Sequence, residues 1–285
     1  MSPENLPAGS RGHARSIVLA TALVIFLLPL AWTLAAAFGL SPDDGHRPPT
    51  WSLPPTLDHF LEVGLAAPTF WQQIATSLVV SAGAAFIAVA TAFLAAYGLA
   101  RSRLHHGRVI GPGFLILATL PVMAYVLPLD ELLRRVHLGD TLPGVMLSEA
   151  AVTAPLATYV LLGFLRRLSP EWEEAAWLEG AGLGRVLRTV VLPLSAPTIG
   201  AVVIILFVLD WNLLLVPLVV AGVDVKTVSV GMTDFFTFER ELDWPTAAAA
   251  LTLSLLPLLI VVAVFHRLLD RFTLRSEASI QAPDR

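Results

Sequence analysis

Six long apolar segments constrain this sequence more than any other feature. Each is about 20 residues or longer and nearly free of charge, as a helix needs to cross a bilayer core about 30 Å thick. Unpaired backbone groups are costly in lipid and the alternating pattern of barrel strands is absent, so helices are expected. The predicted spans are Ile17–Leu40, Ala75–Ala100, Val109–Leu129, Leu142–Leu165, Ala196–Gly222 and Ala247–Phe265.

The composition excludes most soluble classes and several kinds of enzyme. Of the 285 residues, 56% are hydrophobic and 14% are charged, and the mean hydropathy is +0.74, which is far from a soluble composition. The sequence has no cysteine, which excludes a disulfide scaffold, a thiol enzyme and a cysteine-ligated metal centre. Lys226 is the only lysine and no Gly-Lys pair exists, so the chain has no phosphate-binding P-loop of its own.

The basic residues alternate between the connections, and this alternation predicts the orientation. Thirteen of the 18 lie in the two termini, the second connection and the fourth connection, so both termini are expected in the cytoplasm. The first span is too long for the apolar region of a signal peptide and is interpreted as retained. The predicted organisation is a cytoplasmic N-terminus at 1–16, a six-helix domain at 17–268 and a cytoplasmic tail at 269–285.

The fourth connection, residues 169–193, carries helix signals although it lies between spans, and we call it the elbow. Ser169 is a typical N-cap, Pro170 suits the first helical position, and three glutamates follow near the positive end of the helix dipole. Glycines at 180, 182 and 184 predict a break, and a second helix is expected from about Arg185 to a stop before Leu192-Pro193. A rigid protrusion of this kind suits docking into a groove of another protein.

A spaced set of residues in the elbow also carries a family resemblance. The set consists of Glu174, Ala175, Ala176, Gly180, Leu192 and Pro193. It resembles the cytoplasmic E-A-A loop of the membrane-spanning permease subunits of bacterial ATP-binding-cassette importers, and among them the maltose-type sugar permeases. Similar stretches recur along nearly the whole chain, including Ala96–Arg101 in the second span, Leu120-Pro121 in the third and Trp211-Asn212 in the fifth.

The resemblance implies a fold, partners and an activity. The fold is an all-α integral membrane protein of the bacterial plasma membrane, a type I importer permease with six transmembrane helices and a cytoplasmic coupling helix. The elbow would sit in a cleft of a separate ATPase dimer that binds ATP and Mg²⁺, so this chain is expected to be a transport subunit, not an enzyme, with no cofactor or metal. The resemblance also implies a second permease subunit and an extracytoplasmic solute-binding protein as partners.

The implied substrate is a sugar, such as a disaccharide or oligosaccharide. The alternative is a non-sugar solute, such as glycerol phosphate, a polyamine or an inorganic anion, because permeases for these share the loop. A passive secondary transporter would work without nucleotide, and an intramembrane enzyme would need a nucleophile–base pair or metal ligands within the spans. Nucleic acid is not an expected partner, because membrane topology already explains the basic residues.

Polar side chains inside the predicted spans are the remaining candidates, since ionisable groups in lipid are costly and usually functional. Asp210, Trp211 and Asn212 place a carboxylate, an indole and an amide on one helix turn, which suits sugar hydroxyls and a sugar's apolar face. The alternative for Asp210 is a buried carboxylate bonded to a neighbouring helix. Glu149 is also a candidate for the substrate pathway, and its alternative is a position near the outer interface of the membrane. Tyr125 either binds substrate or faces lipid headgroups.

Overall fold

The computed structural model describes residues 8–40, 42–43, 50–51, 54–66, 68–102, 107–222, 225–236 and 244–280. In these ranges the chain is helical apart from one short antiparallel pair, β1 (Pro42–Asp43) with β2 (Thr50–Trp51). The α-helices are α1 (Ala8–Ala37), α2 (Asp58–Leu61), α3 (Pro68–Arg101), α4 (Gly107–Ala118), α5 (Val126–Arg135), α6 (Leu142–Leu165), α7 (Glu171–Leu178), α8 (Leu183–Val186), α9 (Leu192–Trp211), α10 (Leu215–Val220), α11 (Val228–Met232) and α12 (Trp244–Ile280).

Among the described residues, five helical segments are long and apolar enough to cross a membrane. They confirm the predicted first, second, fourth, fifth and sixth spans; the fourth has the predicted ends, and the ends of the others shift. Their side chains are those of a multi-pass membrane protein, since large apolar groups such as Phe86 remain exposed, at 72% of the full area. The five segments are Ser16–Ala37, Pro68–Arg101, Leu142–Leu165, Leu183–Trp211 and Trp244–Val264.

The third predicted span, Val109–Leu129, is not one helix in the described residues. α4 ends at Ala118 after 12 residues, a length of about 18 Å that is too short for the bilayer core. Pro121 then takes an extended conformation, with φ −62° and ψ 125°, before a 3₁₀ turn at Val122–Ala124 and α5. Proline lacks the amide proton that a helix needs and disfavours helical geometry in the residue before it, which explains the break.

The fifth span also ends earlier than predicted. α9 stops at Trp211, a non-helical turn follows, and α10 begins at Leu215. Pro217 cannot donate to the carbonyl of Leu213 and its ring would clash there, so the helix restarts instead of continuing to Gly222.

The chain divides into two compact units, residues 1–70 with 234–255 and residues 71–233 with 256–285. In the described part of the first, alanines of α1 and α12 pack together at Ala36, Ala37, Ala248 and Ala249, because small side chains let helices approach closely. In the second, valines from several helices form an apolar core at Val80, Val126, Val145, Val216 and Val220. The elbow and both in-span carboxylates belong to the second unit.

Candidate functional site

The elbow begins with the helix that its sequence predicts. The Ser169 hydroxyl accepts a hydrogen bond from the Glu171 amide at 3.4 Å, and the Pro170 carbonyl accepts from the amides of Glu173 and Glu174, each at 3.0 Å. α7 starts at Glu171, one residue later than predicted, with three carboxylates in its first turn. These charges interact favourably with the amino end of the helix dipole.

Gly180 makes the predicted bend. Its φ is +85°, a left-handed backbone conformation that residues other than glycine rarely adopt. The Gly180 amide donates to the Trp177 carbonyl at 2.9 Å and the Ala181 amide donates to the Ala176 carbonyl at 3.0 Å, which together close the end of α7. A Cβ at Gly180 would meet no atom within 4 Å, so the backbone conformation, and not lack of space, requires the glycine here.

The second arm of the elbow differs from the prediction. It starts at Leu183, two residues earlier than Arg185, and it does not stop before Leu192-Pro193. α8 runs through a π-helical turn at Leu187–Val191 directly into α9. The wider turn shifts the backbone register just before Pro193, where one amide proton is missing, and the helix continues without a break. The second arm and the fifth span therefore form one continuous helix.

The inner face of α7 holds a carboxylate that the sequence reasoning missed. Glu173 is fully buried, and its carboxylate accepts hydrogen bonds from the Tyr97 hydroxyl at 2.8 Å and from the Arg101 Nε at 2.8 Å. Arg101 also donates to the carbonyls of Leu165 and Leu168, both at 3.2 Å, at the end of α6. We call Glu173, Tyr97 and Arg101 the anchor, because they join α7 to the ends of α3 and α6.

A signal for the anchor was present in the sequence. Tyr97 and Arg101 are four residues apart, so they lie on one face at the end of α3. Their hydroxyl and guanidinium require a partner when they are buried, and the three glutamates of the elbow supply candidates.

The rest of the α7 surface is exposed, and it carries three large apolar side chains beside its glutamates. Trp172 is 62% exposed and Leu178 is 91% exposed, and Trp177 is also exposed. Large side chains of this kind outside the spans mark an interaction site. The residues predicted to couple to an ATPase lie at the surface of the elbow, with Ala176 half-buried and the others exposed, namely Glu174, Ala175, Gly180, Leu192 and Pro193.

A pair of carboxyl groups is buried where α6 packs against α9. Glu149 is 1% exposed and Asp210 is 2% exposed, and the two groups are close enough to interact electrostatically. Thr153 lies beside Asp210, but its single hydroxyl proton is donated to the Glu149 carbonyl at 3.1 Å. Among the described residues, Glu149 Oε2 and both oxygens of Asp210 have no hydrogen-bond partner. We call these two residues the carboxyl pair.

The level of Glu149 in the membrane stays a prediction. Glu149 follows Leu142, the first residue of α6, by seven residues, which places it about 10 Å along the helix. It is buried because it lies on the side of α6 that packs against α9. Asp210 is next to a neighbouring helix, as its alternative interpretation requires, and Thr153 of that helix lies beside it.

The other pathway candidates do not converge on Asp210. Trp211 is buried against Phe207, with ring centroids 5.9 Å apart, and its carbonyl accepts from the Ser229 hydroxyl at 2.9 Å. Asn212 is exposed at the end of α9, where its amide donates to the Val208 carbonyl at 2.7 Å. Successive helical residues are about 100° apart around the axis, so adjacent positions do not share a direction. Tyr125 is half-buried at the break between α4 and α5.

Comparison with known proteins gives a consistent family and fold. The family described as "binding-protein-dependent transport system inner membrane component" matches residues 16–275. The trehalose transport system permease protein of Mycobacterium tuberculosis (strain CDC 1551 / Oshkosh) is 29% identical over 91% of this chain and 95% of its own length. The sn-glycerol-3-phosphate transport system permease protein of Escherichia coli O1:K1 is 27% identical over 92% of this chain and 94% of its own length.

A solved structure confirms the fold. The crystal structure of a bacterial ABC transporter involved in the import of the acidic polysaccharide alginate contains a chain that superimposes with a TM-score of 0.74. The match covers 93% of this chain and 99% of that chain, at 17% sequence identity. The fold is therefore that of an importer permease.

Proposed function

Because the chain belongs to the family of binding-protein-dependent transport system inner membrane components, we propose that it is one permease subunit of an ATP-driven sugar importer. It provides part of a translocation path and takes its driving force from a separate ATPase dimer that binds ATP and Mg²⁺. A second permease subunit encloses the path with it, and an extracytoplasmic binding protein delivers the sugar.

The elbow is the observation that carries this proposal, because it combines a fixed attachment with exposed apolar side chains. Glu173 is held by the anchor, while Trp172, Trp177 and Leu178 are exposed on the same short helix. Exposed aromatic side chains on a rigid support are typical of the centre of a protein interface. A docked ATPase would cover them.

The connections of the elbow provide a route for force. Glu173 ties the first arm to the end of α3, and the second arm continues into α9 through the π turn. A displacement of the elbow therefore acts on the second and fifth spans together. Packed helices with two arrangements transmit such a shift as a change of access.

The distribution of charge supports an orientation with both termini and the elbow in the cytoplasm. Five basic residues lie in the connections assigned to the outside, and two of them are held by carboxylates of α5. Arg134 pairs with Asp130 at 2.8 Å, and Arg135 pairs with Glu131 at 2.9 Å.

The carboxyl pair supports a sugar over an anion. Carboxyl groups exchange hydrogen bonds with hydroxyl groups and offer a phosphate no counter-charge, so a path through Glu149 and Asp210 favours a neutral polyhydroxy solute over glycerol phosphate or an inorganic anion. A polyamine, which is a cation, is the alternative that these carboxyl groups do not disfavour. Substrate profiling of the binding protein encoded with the chain separates the two.

The test is reconstitution of the importer in proteoliposomes with Trp172→Ala and Trp177→Ala combined. The double variant is expected to bind the ATPase at least about tenfold more weakly and to lose ATP-driven uptake, while its thermal stability stays unchanged. Phe86→Ala is the control, because it also removes an exposed aromatic ring but from a span. Unchanged ATPase binding in the double variant would contradict the proposal.

A further inference from the structure

A groove of about 570 Å³ lies between α4 and α6, away from the anchor's carboxylate and the carboxyl pair. Its lining is mainly apolar at one end and cationic at the other. Tyr159 and Val160 lie towards the middle of α6, and two arginines follow the last residue of that helix. The lining includes Gly111, Tyr159, Val160, Gly163, Arg166 and Arg167.

Two glycines give the groove its shape. A Cβ at Gly163 would meet no atom within 4 Å, so open space lies above this position of α6. A Cβ at Gly111 on α4 would come within 3.4 Å of Arg166 Nη1 and 3.6 Å of Leu162 Cδ2, so the Arg166 side chain lies across the facing helix. The groove is thus an open slot along α6, with apolar groups at one end and guanidinium groups at the other.

The end of the span fixes the level of the arginines in the membrane. α6 ends at Leu165, and Arg166 and Arg167 are the next two residues. Seven residues separate Tyr159 from Arg166, which corresponds to about 10 Å of helix. The apolar part of the slot therefore faces the acyl chains, while the two cations lie at the level of the headgroups.

We propose that this groove binds one anionic phospholipid, with the phosphate at Arg166 and Arg167 and an acyl chain along Val160 and over Gly163. Cationic pockets between helices at the membrane surface bind anionic headgroups. Free phosphate would use the arginines but gain nothing from the apolar slot, so the complete groove fits a lipid. The inference depends on membrane insertion, and it does not depend on the proposed substrate or on ATPase docking.

The site adjoins the anchor. Arg101, which holds Glu173, also binds the carbonyls of Leu165 and Leu168, the residues on either side of the two groove arginines. A lipid that fixes Arg166 and Arg167 therefore stabilises the carbonyls that orient Arg101. Occupancy of the groove is expected to increase coupling between the elbow and the spans.

Native mass spectrometry of the full chain in its assembled importer tests the proposal, after equilibration with equal amounts of phosphatidylglycerol and phosphatidylcholine. Two arginines at headgroup level correspond to about a thirtyfold preference for the anionic lipid. Arg166→Gln with Arg167→Gln should abolish that preference. Gly163→Leu keeps the charges but fills the slot, and it should reduce retention of any lipid with a full acyl chain.

Arg135→Gln is the matched control, because it removes one exposed cation from a helix outside the groove. Equal retention of both lipids by the unmodified chain would overturn the proposal, and so would the same loss of preference in the control. If the groove variants instead release the second permease and leave lipid retention unchanged, the groove is a protein interface. Lipid retention is read without transport, so failure of the proposed importer function leaves this measurement interpretable.

Discussion

Two sites in the same compact unit bury carboxylates in opposite ways. At the anchor, Glu173 accepts hydrogen bonds from Tyr97 and Arg101 and has a counter-charge. At the carboxyl pair, Glu149 and Asp210 face each other, and among the described residues three of their four oxygens lack a hydrogen-bond partner. Burial alone therefore does not distinguish the two sites, but hydrogen-bond satisfaction does.

The difference separates a structural role from a functional one. A buried charge with all its partners fixes the geometry of the elements that it joins, and removal of one partner leaves the other uncompensated. Buried oxygens without hydrogen-bond partners lower the stability of the fold. Proteins retain such groups where they bind a ligand or take part in a conformational change. The anchor thus holds the elbow in place, and the carboxyl pair remains the candidate for binding a solute.

The largest expected effect comes from removal of the anchor carboxylate. Glu173→Ala leaves Arg101 without its counter-charge, and we expect a loss of about 3–5 kcal/mol in the free energy of unfolding together with loss of ATP-driven uptake. Thermal unfolding of the purified importer measures the first and proteoliposome uptake the second. Glu174→Ala is the matched control, because the neighbouring side chain is exposed and its removal should change stability by less than about 0.5 kcal/mol. Equal stability of the two variants would show that the anchor does not stabilise the protein.

The next effect separates the bend from the anchor. Gly180→Val forces a β-branched residue into the left-handed conformation, at a cost of about 1–2 kcal/mol, and should weaken uptake while the anchor stays intact. Gly180→Asn should retain most uptake, because asparagine tolerates this conformation and the space is open. Uptake assays of both variants make the comparison, and equal uptake would show that the bend is dispensable.

The carboxyl pair should respond in the opposite sense to the anchor. Asp210→Asn replaces a buried carboxyl group whose oxygens have no hydrogen-bond partner among the described residues, so stability should stay constant or rise by about 1 kcal/mol, whereas uptake should fall. Glu149→Gln should behave in the same way. Thermal unfolding and uptake of each variant give the two quantities. A destabilisation as large as that of Glu173→Ala, with uptake intact, would make the pair structural.

The smallest effect belongs to a salt bridge at the surface. Arg135→Gln breaks an exposed pair with Glu131, four residues earlier on α5, and should cost less than about 0.5 kcal/mol. Thermal unfolding in low and high salt checks this value. A cost near that of Glu173→Ala would show that burial does not decide the strength of ion pairs in this chain.

Sequence patterns predicted the elements that depend on neighbouring residues. Long apolar runs located five spans, and the Pro-Glu start and Gly180 located α7 and its bend, because local propensities decide these features. Prolines had two different outcomes: the third predicted span is broken at Pro121, whereas a π turn carries the helix through Pro193, where a stop was predicted. A proline gives the same local signal in both places, and the surrounding backbone decides the outcome.

The site was less predictable, because it depends on which faces of distant helices meet. Glu173 and Glu174 are neighbours with the same chemistry, yet one is buried on Arg101 and the other is exposed. Glu149 and Asp210 are 61 positions apart in the sequence, and only the packing of α6 on α9 brings them together. The local sequence of a helix does not determine which of its faces packs against a distant helix.

Docking of an ATPase on the elbow is the central claim, and the natural absence of cysteine permits a direct test. Trp172→Cys or Leu178→Cys gives a single thiol on the exposed face of α7, and Glu131→Cys gives one on α5 as control. Maleimide labelling of the assembled importer should be slow at the two elbow positions and should become fast when the ATPase is removed, while the control labels equally in both states. Elbow thiols that react at the same rate with and without the ATPase would contradict the account.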